Sequence, residues 1–271
     1  VSKTLLRYPG GKSRALKHII KHFPKGLTEM VSPFFGGGSI ELHCASKGVR
    51  VHGYDNFESL VNFWNQALTC PQELAYLLET LFHPCTKEKF NTYQKTQQHD
   101  PEFPTFQGWD QLRACMFYTL NRSSFSGATL KGGFSQQAAD NRFTQSSIER
   151  LRKFSSPNLS VKAADFASSL RSHADDVFVY ADPPYMLEKA SLYGENRATS
   201  HSFDHYRFAA EIKKKNNWII SYNPAPEILD LYKDYEILYP TWSYGMSSDK
   251  KSKEILILNV KENDDALLID D

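Results

Sequence analysis

Residues Asp175 to Tyr185 read DDVFVYADPPY. The run from Val177 to Ala181 is apolar and rich in β-branched and aromatic residues, which suits a buried strand better than a helix. It stops at Asp182, and Pro183 and Pro184 forbid any regular continuation. Each proline has a fixed φ and no N–H, so this backbone is stiff and its carbonyls stay free to accept. Tyr185 then sets a flat ring beside them. In an open α/β sheet, ligands bind just beyond the carboxyl ends of the strands. This edge suits an amino group on a flat heterocycle. Asp182 and the Pro183 carbonyl would accept its two N–H hydrogens, and Tyr185 would stack on the ring, at roughly 1–3 kcal/mol per base. The plainer alternative is a strand followed by a Pro-Pro turn.

Working outward, the flanking segments repeat the strand-end pattern. Leu159 to Ala164 reads as a strand ending at Asp165, with Phe166 next. Glu29 to Phe35 reads as a strand, followed by Gly36-Gly37-Gly38-Ser39 and a helical pattern from Ile40 to Lys47. Strand, glycine turn and helix form the nucleotide-binding arrangement, although Glu41 stands where the dinucleotide fingerprint needs glycine. The next strand, Arg50 to Tyr54, ends in Asp55. That acid lies about 20 residues beyond the glycines, where a ribose diol would sit. Together these features point to an adenosine-containing ligand. Arg7-Tyr8-Pro9-Gly10-Gly11-Lys12 forms a turn-rich loop ahead of a helix through His22. It is no triphosphate loop, because the first glycine of that motif would fall at Leu6. His18 and His22 have the spacing of a metal pair but no third ligand nearby, so no metal is expected.

On the other side, Phe203 to Lys215 reads as a helix, Trp218 to Tyr222 as a strand, and Pro226 to Tyr232 as a helix with proline near its start. Tyr235 to Tyr239 and Glu254 to Val260 are the last strands, separated by a polar loop bearing Lys250, Lys251 and Lys253. Between Phe57 and about Phe154 the pattern is helical: Leu60, Val61, Trp64 and Leu68 are helix-spaced, and Trp109 to Leu120 is another candidate. Ser146 with Glu149 predicts a capping box for a helix through Phe154. The expected organisation is therefore an α/β domain over 1–57 and 155–261, a mainly helical insertion over 58–154, and a poorly ordered acidic tail over 262–271.

The formal net charge of +1 announces no nucleic-acid partner globally, so such a partner must be argued from local patches. Between Gln111 and Lys153 seven bases stand against two acids, Asp140 and Glu149, a net of +5. Here Asn121-Arg122-Ser123-Ser124-Phe125-Ser126-Gly127 and the following Leu130-Lys131 interleave bases, glycines and aromatics, which suits phosphates and base edges. A solvated helical surface is the alternative. Cys44, Cys70, Cys85 and Cys115 show no paired spacing, so free thiols in a reducing, cytoplasmic compartment and no structural zinc are expected. No stretch approaches the roughly 18 apolar residues of a membrane span, and no signal peptide is visible.

RYPGGK, PFFGGGS, a strand-end Asp, an insertion containing NRSSFSG, and DPPY, in that order, resemble the Dam-type DNA N6-adenine methyltransferases (the D12 class, alpha group) over about Leu5 to Val260. The resemblance implies an S-adenosylmethionine-dependent Rossmann-like fold with a mixed seven-stranded sheet and an inserted target-recognition domain. It implies that Asp182, Pro183, Pro184 and Tyr185 are the catalytic motif. Tyr8, Gly10, Lys12, Phe34, Gly36, Gly38, Ser39, Asp55, Asp165, Phe166 and Asp182 would line the cofactor site. Arg7 and Phe125 would approach the recognised bases, Phe125 as a wedge on a hairpin with Ser126 and Leu130. Asn121, Arg122, Lys131, Lys250 and Lys251 would add contacts to double-stranded DNA. In GATC-specific members an arginine that reads guanine stands at the position of Leu130, so this chain departs from that pattern.

The reading is a site-specific adenine methyltransferase that flips its target base and works as a monomer or weak dimer. Two alternatives are a cytosine N4-methyltransferase, which favours Ser rather than Asp before the prolines, and a catalytically silent DNA-binding relative.

Overall fold

The central apolar runs become strands that are buried on both faces, Phe178–Ala181 and Trp218–Tyr222 throughout. In the computed structural model, which describes residues 4–98, 108–186, 203–240 and 254–260, the strands are β1 (Glu29–Ser32), β2 (Arg50–Asp55), β3 (Leu159–Ala163), β4 (Phe178–Ala181), β5 (Trp218–Tyr222), β6 (Glu236–Leu238) and β7 (Ile255–Asn259). They form one seven-stranded sheet in the order β3-β2-β1-β4-β5-β7-β6. The first five strands pair in parallel, and β7 runs antiparallel to both β5 and β6. The mixed sheet is the one expected. Lys250, Lys251 and the acidic tail lie outside the described residues.

Period-two alternation divides the core. Phe178 and Tyr180 of β4, with Met30, Val51, Ile219 and Leu256, face one layer. Val179 and Ala181, with Val31, Ile220, Tyr222 and Ile257, face the other. The first layer continues without a break into the helices of the insertion. There Phe63 of the helix Glu58–Thr69 stacks on Tyr118 of the helix Trp109–Ser123, ring centroids 5.5 Å apart at 12°.

Chain order runs outward from β1 in one direction and from β4 in the other, so the β1/β4 boundary is the topological switch point. A crevice must open there, because the connections leaving the two strands go opposite ways. The glycine loop follows β1 and the Asp182 motif follows β4, so both meet at this crevice.

Two local expectations are corrected. The capping box at the helix Gln145–Arg152 is made by Thr144 and Ser147, not by Ser146 and Glu149. Thr144 Oγ1 accepts from the Ser147 N–H at 3.3 Å, and Ser147 Oγ accepts from the Thr144 N–H at 3.1 Å. Ser146 already lies inside the helix, and Glu149 pairs with Arg152 and Lys153 instead. The Ser126–Leu130 segment is not a β-hairpin. It makes two single 3₁₀ turns, Phe125–Gly127 and Thr129–Lys131, closed by one bridge between Ser124 and Phe134. Ser126, Gly127 and Thr129 have φ of 54°, 74° and 50°, which no regular hairpin strand can accommodate.

Candidate active site

The site begins with a turn. Pro9 and Gly10 occupy the middle of Tyr8-Pro9-Gly10-Gly11, where the Gly11 N–H donates to the Tyr8 carbonyl at 3.0 Å and Gly10 takes φ +77°. Proline followed by a positive-φ glycine is what such a reversal requires. The turn delivers Tyr8 and Lys12 to the crevice. Tyr8 lies so close on the glycine loop that a Cβ on Gly37 would stand 2.7 Å from the Tyr8 Cβ. Gly36 and Gly38 also take positive φ, 49° and 66°. The carbonyl of Gly36 is fixed from behind by the buried Trp64 indole at 3.1 Å. The helix Ser39–Ser46 then starts at the pocket, with Ser39 Oγ 2.9 Å from Ser13 Oγ.

These parts enclose a cavity of about 310 Å³ whose wall includes Tyr8, Phe34, Gly36, Asp55, Asp182 and Tyr185. The size lies in the range of small-molecule sites. Asp55, at the end of β2, accepts the Gly36 N–H on Oδ2 and the Phe57 N–H on Oδ1, each at 3.0 Å. Burial raises its carboxyl above the ordinary carboxylate range, and those backbone donors pull it back. Each oxygen keeps a further lone pair for a ligand hydroxyl.

Asp182 is held from one side. Its Oδ1 is shielded from solvent and lies 2.9 Å from Lys12 Nζ, while 23% of the side chain remains exposed. Lys12 is itself buried, and its ammonium also donates to the Tyr185 hydroxyl at 2.8 Å and the Gly10 carbonyl at 3.1 Å. Desolvation pushes the Asp182 carboxyl up to about 6, Lys12 opposes that rise, and Glu254 adds to it. Burial also raises the Tyr185 and Tyr8 phenols far above their usual range, so both stay neutral hydrogen-bonding groups.

Two residues of the site escaped the sequence reading. Glu41, in the first turn of the helix after the glycines, lines the pocket and is buried, with Ser32 Oγ donating to it at 2.7 Å. Burial pushes its carboxyl up to about 7. The available signal was a charged residue among Ile40, Leu42, Cys44 and Ala45, all of which are buried. Glu254, just ahead of β7, is buried too, with Oε1 3.6 Å from Lys12 Nζ. Only the closing antiparallel strand brings it there, and nothing in its local sequence signals that.

Other expected residues sit elsewhere. Asp165 does not line the cavity. It caps the helix Phe166–Arg171 through the Ser168 N–H at 2.7 Å and pairs with Arg207 at 2.9 Å. Phe166 packs behind the wall against Phe34, ring centroids 6.0 Å apart. Asn121 is buried, not presented outward. Its Oδ1 accepts the Arg7 N–H at 2.9 Å and its Nδ2 donates to the Arg7 carbonyl at 2.7 Å, so it clamps that residue's backbone. Arg122 is also buried, and its Nε donates to the Arg142 carbonyl at 2.8 Å. Leu130 packs its side chain against the core, and its carbonyl accepts from Gln94 and Gln98 at 2.9 Å each. Phe125, in contrast, is 70% exposed, and Ser126 and Lys131 are exposed beside it. Arg7 is half-buried and feels Arg142 electrostatically.

A glycine loop, a strand-end acid and an acidic Pro-Pro edge thus meet around one switch point of an α/β sheet, the place where such folds bind their ligands. The chain belongs to the D12 class N6 adenine-specific DNA methyltransferases, whose family model matches residues 8–246. It is 23% identical over 279 residues to the type II methyltransferase M1.LlaDCHI of Lactococcus lactis subsp. cremoris, covering 93% of this chain and 94% of that one. It is 26% identical over 217 residues to the DNA adenine methylase of Escherichia coli (strain K12), covering 78% and 75%. The Salmonella typhi DNA adenine methylase is 27% identical over the same length. Among the described residues, no group of side chains could hold a metal ion and no helix is long and apolar enough to cross a membrane.

Proposed function

We propose that this protein transfers a methyl group from S-adenosylmethionine to the N6 amino group of an adenine flipped out of duplex DNA at a specific site. The observation that carries this reading is the Asp182 carboxylate, which lines the cavity together with Asp55 and the glycine loop and lies 2.9 Å from the Lys12 ammonium. The donor set fits the cofactor. Asp55 would take the ribose hydroxyls, the Gly36–Ser39 backbone would pass beneath the ligand, and Tyr8 and Phe34 would supply apolar walls. Asp165 and Phe166 would support that wall from behind.

When bound, S-adenosylmethionine supplies an electrophilic methyl group. The protein's part is positioning and electrostatics. The Asp182 carboxylate and the Pro183 carbonyl would accept the two N6 hydrogens, drawing the nitrogen lone pair out of conjugation with the ring. Pro184 stiffens the turn, and Tyr185 stacks on the base. Asp182 would also receive the surplus proton of the methylated nitrogen and pass it to water. No covalent enzyme intermediate is required. The adenine chemistry of the family favours this over the cytosine alternative, and the complete Asp182–Tyr185 motif favours it over a silent binding protein.

On the DNA side, exposed Phe125 is the wedge, with Arg7 and Ser126 near the bases and Lys131, Lys250 and Lys251 on phosphates. Asn121 and Arg122 act by building this surface. The packed Leu130 side chain leaves no guanine-reading arginine at that position, which favours a site other than GATC. The protein would act on DNA in the cytoplasm as a monomer or weak dimer. Incubating duplex DNA with methyl-labelled cofactor and digesting it to nucleosides tests the reading. Label in N6-methyl-2′-deoxyadenosine supports it, and label in N4-methyl-2′-deoxycytidine or in no nucleoside refutes it.

A further inference from the structure

One buried cation at the site faces two carboxylates. Lys12 Nζ lies 2.9 Å from Asp182 Oδ1 and 3.6 Å from Glu254 Oε1, and all three groups are bridged by the Tyr185 hydroxyl, which accepts from Lys12. That hydroxyl lies within reach of both Asp182 and Glu254 and has a single proton to donate to one of them. The methylation reading uses Asp182, Lys12 and Tyr185 and leaves Glu254 without a task. Burying a second carboxylate there is costly unless its charge serves something.

We propose that Glu254 is a positioning residue that shares Lys12 with Asp182 and thereby keeps the Asp182 carboxylate basic enough to collect the proton released from the methylated nitrogen. With Lys12 facing Asp182 alone, the ion pair would be tighter and Asp182 a weaker acceptor. With Glu254 as a second anion, the lysine still orients Oδ1, but its field is divided. Glu254 also acts on Asp182 directly, since a neighbouring negative charge favours the protonated form. The direction agrees with the contributions at Asp182, where Lys12 lowers its proton affinity and Glu254 raises it. The other groups that sense Asp182 are Glu41 from the helix after the glycines, Tyr180 from β4, and Tyr8 from the opening turn. None of them contacts Lys12 in the way that Glu254 does.

This inference rests on the methyltransferase reading, and its test has a readout that needs no turnover. S-adenosylmethionine carries a sulfonium charge, and its product S-adenosylhomocysteine does not. An ionised Asp182 lining the same cavity would therefore favour the former, and the ratio of the two affinities would fall as Asp182 takes a proton. Calorimetric titration of both compounds from pH 5 to 8 locates that midpoint, expected near the wild-type value of about 6. In Glu254→Gln the midpoint should move down by about one pH unit or more, the sign for removing a nearby negative charge at an effective protein dielectric. Glu254→Asp should restore part of the shift. The acidic limb of methyl transfer should move with it.

A midpoint that stays in place in Glu254→Gln, or affinities that fall equally for both compounds at every pH, would overturn the proposal and leave Glu254 a packing residue. Should the midpoint shift while no DNA is methylated even by the wild-type protein, the reading of the reaction fails but the role of Glu254 toward Asp182 stands.

Discussion

Lys12 Nζ stands 2.9 Å from Asp182 Oδ1, although 173 residues separate Lys12 from the Tyr185 hydroxyl that the same ammonium also binds at 2.8 Å. The first loop of the chain thus fixes the orientation of a carboxylate at the far side of the switch point. Burial dominates the pH behaviour of the Asp182 carboxyl, and this contact opposes it. Asp182 must be ionised to accept N–H hydrogens, and its folded value is raised to about 6. In the free enzyme kcat/KM should therefore fall as pH drops through about 6. Lys12→Met removes the charge that opposes the rise, so its acidic limb should move to higher pH. A limb displaced the other way, or unchanged, would break the link between the two residues.

Asp55→Ala should weaken binding of S-adenosylhomocysteine about 10- to 100-fold in calorimetry. Charge-assisted bonds to a ribose diol contribute roughly 1.5–3 kcal/mol each. The same change strips the Gly36 and Phe57 N–H groups of their acceptor, so thermal stability should drop as well. Affinity equal to wild type would make Asp55 a loop anchor only.

Two neighbouring substitutions should separate base contact from phosphate contact. Phe125→Ala removes an exposed, uncharged ring. It should reduce base opening, read by fluorescence of 2-aminopurine at the target, with little change in the salt dependence of DNA affinity. Lys131→Ala should weaken binding to all sequences alike and reduce the slope of log affinity against log salt by about one. Equal salt slopes in the lysine variant and wild type would remove Lys131 from the phosphate contacts.

Glu41 gives a stability prediction. Its carboxyl is raised from 4.5 to about 7 by burial, so the folded state binds the proton more tightly than the unfolded chain. That favourable contribution is complete below about pH 4.5 and disappears as pH rises through about 7, an effect on the order of 3 kcal/mol. Glu41→Gln, which still offers Ser32 an acceptor, should flatten this loss in urea melts between pH 5 and 8. A variant whose stability falls with pH as steeply as wild type would show that the Glu41 carboxyl is not the source.

Much of this was legible in the sequence. Each strand was found within a few residues, because buried parallel strands are short apolar runs that end in polar or turn-forming residues. Val177 to Ala181 and Trp218 to Tyr222 show it well. The Pro9-Gly10 turn and the glycine loop were readable, since local backbone chemistry forces them. Long-range contacts were not. Nothing local says that Asn121 clamps Arg7, that Glu254 reaches Lys12, or that Arg122 is buried under Arg142. The hairpin failed for a related reason: tertiary bonds from Asn121 to Gly127 and Thr129 hold that loop in positive-φ turns. The lysines of the last loop lie outside the described residues, so their expected phosphate contacts stay a proposal.

The most direct test of the central claim compares wild-type protein with Asp182→Ala in single-turnover methylation of duplex DNA, read as N6-methyl-2′-deoxyadenosine by mass spectrometry. Affinities for DNA and for S-adenosylhomocysteine are measured alongside. Loss of a preorganised acceptor at the reacting nitrogen typically costs about 10²–10³ in rate or more. The account predicts N6-methyl-2′-deoxyadenosine from the wild type, a loss of at least that size in the variant, and DNA affinity within a few-fold of wild type. Near-normal methylation by Asp182→Ala, or no methylated adenine from the wild-type protein, would contradict it.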